Sequence, residues 1–140
     1  MSARNETLIQ LCRQFAIDIL YVFGSRAEEV KAWFDGGANL SPGPSDVDIG
    51  VKPALGVKLS VEEKVRLAQA LEDLLGVHRV DLVVLPEVDP FLAANVIRGE
   101  RLYARDEYLA DEYDLYILRR AGDLAPFERE RLALILGEEQ

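Results

Sequence analysis

Three short β-rich runs, Ile17–Phe23 (IDILYVF), Val47–Val51 (VDIGV) and Val80–Leu85 (VDLVVL), punctuate this chain, with helical patterning before, between and after them. That order excludes an all-helical bundle and an all-β sandwich, and leaves layered folds in which helices cover a sheet. Leu8, Leu11, Cys12 and Phe15 fall at i, i+3, i+4 and i+7, which predicts an amphipathic helix over about residues 5–17 with Asn5 as its N-cap. Residues 25–34 read as helical. Ser60 and Glu63 form a capping box ahead of Val61, Val65, Ala68, Leu71 and Leu75, and Gly76 closes that helix. A short helical piece at Phe91–Arg98 and a short extended piece at Arg101–Ala104 follow. Leu109, Tyr113, Tyr116 and Ile117 mark another helix, and Pro126, suited to a first helical position, opens a last one to Leu136. The expectation is an α/β (α+β) fold: a small mixed sheet with helices on one face.

With 140 residues and 15.7 kDa, the chain fits one domain, 1–140, ending in C-terminal helices at about 106–137. No apolar run approaches the ~20 residues that span a bilayer. The opening MSARNETLIQ lacks the apolar core of a signal peptide. Cys12 is the one cysteine and has no disulfide partner within the chain, so the expected compartment is the cytoplasm. The net charge of −9 argues against an extended nucleic-acid backbone as partner, because such a partner needs a positive footprint. The stripe of Leu109, Tyr113, Tyr116 and Ile117 reads as core packing, with a homo-oligomer or partner surface as the alternative.

The chemistry-bearing residues sit on the β-runs. Asp46 and Asp48 are i and i+2, so both side chains leave one face of a strand, within reach of one cation. Asp81 is the second residue of the next run. Aspartate is depleted in strands, and three such residues need a compensating partner. A hard cation such as Mg²⁺, which prefers oxygen ligands, supplies it. The alternative is that Asp48 faces water and Asp81 pairs with an arginine such as Arg79. Gly24 and Ser25 stand where the first run turns into a helix. A glycine there lets the backbone approach an anion, the helix start offers N–H groups, and Arg26 adds charge. Ser25 and Glu28 could equally form a capping box.

Together, F-G-S-R-A, then S-D-V-D-I, then V-D-L-V-V-L, resemble the DNA polymerase β-type nucleotidyltransferase superfamily. The short length resembles its minimal nucleotidyltransferases, the partner half of HEPN–MNT toxin–antitoxin modules. The likeness runs from about Ile17 to Tyr103 and includes VIRGERLYARD, similar to the family's "G-x-x-L-Y" stretch. The spacing between Gly-Ser and the first aspartate is longer than usual for these proteins. The surplus falls in the Gly/Pro-rich stretch 35–45, read as a lengthened surface loop. Glu28-Glu29 stand where a basic residue and a glycine often follow.

The resemblance implies that Gly24, Ser25 and Arg26 hold the phosphates of ATP, that Asp46, Asp48 and Asp81 bind Mg²⁺, and that Asp81 helps activate an attacking hydroxyl. The implied activity is transfer of AMP from ATP to an acceptor hydroxyl, a tyrosine of a HEPN toxin partner. A small-molecule hydroxyl is an alternative acceptor. A further alternative is an antitoxin that occludes its partner with little or no transfer. Of the remaining residues, His78 is expected at the surface, and Cys12, Trp33 and Phe34 in the core.

Overall fold

The computed structural model describes residues 2–37, 40 and 46–136; most of the stretch 35–45 therefore lies outside the described residues. The elements are α1 (Ala3–Gln14), β1 (Ile17–Phe23), α2 (Ala27–Phe34), β2 (Val47–Pro53), α3 (Val61–Leu75), β3 (Val80–Val84), a 3₁₀ turn (Leu85–Glu87), α4 (Pro90–Ile97), β4 (Glu100–Ala104) and α5 (Glu107–Leu136). The strands form one sheet in the order β3-β2-β1-β4. It is mixed: β1 pairs antiparallel with β2 and with β4, while β2 and β3 run parallel.

The expected caps hold at α3. Ser60 accepts from the Glu63 N–H at 3.1 Å, the Ser60 N–H donates to the Glu63 carboxylate at 3.0 Å, and Gly76 ends the helix in the left-handed region. At α1 the cap is Ser2 and not Asn5; its hydroxyl accepts from the Asn5 N–H at 3.2 Å.

Helices cover both faces of the sheet, which corrects the expectation of one. Leu20 and Val22 of β1 pack with Leu8, Cys12, Val30, Leu67 and Leu71 of α1, α2 and α3. Ile19, Tyr21 and Phe23 pack on the other side with Ala93, Val96, Ala110 and Ile117 of α4 and α5. A strand buried on both faces reads as a near-continuous apolar run instead of an alternating one. IDILYVF, with every residue buried except Asp18, is such a run.

The two expected C-terminal helices are one 30-residue helix, α5, with Pro126 inside it. The proline removes the hydrogen bond to the Gly122 carbonyl. Gly122 is exposed, so water can satisfy that carbonyl. Among the described residues of this helix Ala110, Ile117 and Ala121 are buried; Tyr113 is half-buried, whereas Leu109 and Tyr116 are exposed. Arg101 of β4 ties the helix to the sheet through Asp114 (2.7 Å), Glu107 (2.9 Å) and Asp111 (3.0 Å), and the Tyr21 hydroxyl donates to Asp114. Cys12, Trp33 and Phe34 are core residues and His78 is exposed, as expected. Burial pushes the Cys12 thiol up to about 12. No described helix is long and apolar enough to cross a membrane.

Candidate active site

The strand register gathers the expected residues at one end of the sheet. Phe23, the last residue of β1, pairs with Asp48, and Asp48 pairs in turn with Asp81. The turn after β1 therefore lies beside Asp48, and the carboxylates of two neighbouring strands stand level. Asp46, just before β2, completes the group. Burial raises the Asp48 carboxyl above the ordinary carboxylate range, and the charges of Asp81 and Asp46 push it the same way.

Gly24 makes this closeness possible. Its φ of +79° lies in the left-handed region, and a Cβ at this position would stand 2.3 Å from Asp48 Oδ2. Any side chain would displace the carboxylate. Ser25 follows, exposed, and no side chain caps α2, so the Ser25–Glu28 capping box does not form. Gly24 and Ser25 line a cavity of about 560 Å³ together with Glu28, Asn95, Arg98, Gly99 and Glu100. Gly24 thus borders the cavity on one side and the acidic group on the other.

The family "Polymerase beta, Nucleotidyltransferase" matches residues 6–108. The chain belongs to this family. Its fold is similar to that of a crystal structure of a toxin–antitoxin with AMP-PNP, at 23% identity and a TM-score of 0.65 over 94% of both chains. It is also similar to the toxin–antitoxin MntA–HepT, at 23% identity and a TM-score of 0.61 over 94% of this chain and 93% of that one. A third similar structure is the tri-AMPylated Shewanella oneidensis HEPN toxin in complex with MNT antitoxin, at 22% identity and a TM-score of 0.61 over 94% and 92%. No curated protein matches.

In this nucleotidyltransferase the two arginines at the cavity end differ in placement. Arg26, expected beside the phosphates, is buried and does not line the cavity. Its guanidinium turns to Glu29, with Nε at 2.8 Å and Nη2 at 2.7 Å from the carboxylate. Arg98, at the C-terminal end of α4, does line it, and has no ion pair among the described residues. Gly99 fixes that placement. A Cβ there would meet the Val22 carbonyl oxygen at 2.3 Å, so only glycine lets the α4–β4 turn lie against the end of β1. Of Glu28 and Glu29, the first faces the cavity and the second is held by Arg26.

Among the described residues no three acidic, histidine or cysteine side chains converge as a ready metal-ligand set. Asp46 and Asp81 are instead drawn onto Arg79, whose Nε lies 3.6 Å and 3.2 Å from them, the pairing considered for Asp81 from the sequence. The donor chemistry nevertheless fits Mg²⁺. All the donors are carboxylate oxygens, and Asp48 and Asp81 are level on adjacent strands. Each Mg²⁺ commonly takes one or two protein carboxylates beside waters and substrate phosphates, so three aspartates suit two ions. A second cavity, about 470 Å³, opens at the other end of the sheet beside Asp18, Lys52 and Tyr113; none of the expected site residues lines it.

Proposed function

We propose that this nucleotidyltransferase moves AMP from ATP to a hydroxyl, in a Mg²⁺-dependent reaction, and that the acceptor is a tyrosine of a HEPN-type protein partner. The observation that carries the reading is the position of Gly24, which stands between a cavity of about 560 Å³ and Asp48 of the aspartate group. The fold likeness to a toxin–antitoxin with AMP-PNP and to an AMPylated HEPN toxin complex supports ATP and this class of partner.

In this reading Gly24 allows the phosphates to approach the backbone and Ser25 donates its hydroxyl to them. Arg98 supplies the positive charge from the cavity wall, a role its placement suits better than that of Arg26. Asp46, Asp48 and Asp81 would hold Mg²⁺, which when bound neutralises the charge that develops on the transferred phosphoryl group and on the leaving group. Asp81, the most exposed of the carboxylates paired with Arg79, orients the acceptor hydroxyl and takes its proton.

The test uses ATP labelled on the α-phosphate or on the γ-phosphate, incubated with the protein and its co-purified partner in Mg²⁺. Label should reach the partner from the α-position only, be lost with EDTA, and be lost in Asp48→Asn. Transfer of γ-label would make the protein a kinase. Neutralisation of the partner that survives Asp46→Asn/Asp48→Asn, with no label transferred, would establish occlusion as the function instead.

A further inference from the structure

The parallel register of β2 and β3 places four charged residues at the corners of one patch. Asp48 pairs with Asp81, and Val47 pairs with Val80 while its N–H donates to the Arg79 carbonyl at 3.2 Å. Arg79 therefore stands level with Asp46 as Asp81 does with Asp48. Since i and i+2 of a strand share a face, three carboxylates and one guanidinium leave the same side of the sheet.

The guanidinium bridges the two strands, with Nε 3.2 Å from Asp81 Oδ1 and 3.6 Å from Asp46 Oδ2. Asp48 has no ion pair among the described residues. Arg79 is thus the fourth corner of the patch and offsets only part of its charge, leaving an excess that still attracts a divalent cation. It is also loosely held. The side chain is 69% exposed, against 20% for Arg101, which is gripped by three carboxylates of α5. Exposed pairs of the Arg79 kind are weak and exchange readily.

We infer that Arg79 is a displaceable countercharge: it neutralises part of the aspartate group while no divalent cation is bound, and leaves Asp46 and Asp81 when one binds. This rests on the reading above that Mg²⁺ occupies the three aspartates. A divalent cation on these carboxylates would stand within a few ångströms of the guanidinium held against them, and the repulsion between the two like charges makes them compete.

Mn²⁺ serves as the probe, titrated into the full chain and followed by the loss of the free-ion electron paramagnetic resonance signal. Wild type, Arg79→Gln and Arg79→Lys are compared, and each is also melted in EDTA and in saturating Mg²⁺. Loss of a weak competing pair should tighten Mn²⁺ binding about two- to tenfold in Arg79→Gln, while Arg79→Lys stays near wild type. Arg79→Gln should melt below wild type in EDTA and level with it in Mg²⁺. Unchanged or weaker Mn²⁺ binding in Arg79→Gln, or a melting gap that persists in saturating Mg²⁺, overturns the inference and makes Arg79 a structural residue. A wild type that binds no Mn²⁺ removes the metal reading itself, and the inference with it.

Discussion

Replacing Gly24 with alanine tests two separate demands at one position. The first is conformational: at φ +79° a residue with a Cβ pays about 1–2 kcal/mol that glycine does not. The second is steric. The new Cβ would stand 2.3 Å from Asp48 Oδ2, so the carboxylate must rotate away, at about 0.5–1.5 kcal/mol for an off-rotamer side chain. Together these give a destabilisation of about 2–3 kcal/mol. A domain of this size loses about 3–4 °C of Tm per kcal/mol, so the expected drop is about 8 °C by calorimetry. The two parts separate in a double-mutant cycle with Asp48→Ala. With no carboxylate to displace, Gly24→Ala should cost only its backbone strain, leaving a coupling of about 1 kcal/mol. A Gly24→Ala protein that melts within 2 °C of wild type, or a cycle with no coupling, would refute the close approach of Gly24 to Asp48. Nucleotide transfer should fall at least ~100-fold in the single mutant, because a displacement of about 1 Å at a reacting centre costs that much.

Other perturbations probe the rest of the structure. Because the raised Asp48 carboxyl holds its proton more readily in the folded state than in the unfolded one, the metal-free protein loses stability as pH rises through that interval. Asp48→Asn should therefore melt above wild type at pH 7 in EDTA, with the gap closing as acid protonates Asp48; a lower Tm at pH 7 would contradict this. Arg101→Met strips three carboxylates of their shared cation and leaves half-buried Asp114 uncompensated, an expected loss of about 2–3 kcal/mol by urea titration. A loss under 0.5 kcal/mol would show that packing alone holds α5 to β4. Cys12, buried and with its thiol pushed up to about 12, should resist a thiol reagent in the native protein at pH 8 and react at once in denaturant.

The local sequence determined much of this molecule. The period-two pattern of D-V-D-I-G-V assigned Asp46 and Asp48 to one face of a strand before any partner strand was known. The Ser60–Glu63 box and Gly76 delimited α3 because capping acts through neighbours three or four residues away. The run IDILYVF even carried, in its lack of alternation, the signal that β1 is covered on both faces, although helix order alone suggested one.

What lay beyond the sequence depends on which strands pair and in what register. Arg98 is one of sixteen basic residues in the chain, and only the antiparallel pairing of β1 with β4, with Gly99 against the Val22 carbonyl, brings it to the Gly24–Ser25 cavity. Arg26 is next to Ser25 in sequence, yet the start of α2 turns it inward to Glu29. The union of the last two helices into α5 rests on an exposed Gly122, whose freed carbonyl water can satisfy, so that the helix tolerates Pro126. Periodicity tells a residue which face it occupies, because that is a property of neighbouring bonds. Which charges meet across strands is settled by hydrogen-bond register between segments far apart in the chain, and local pattern carries no record of it.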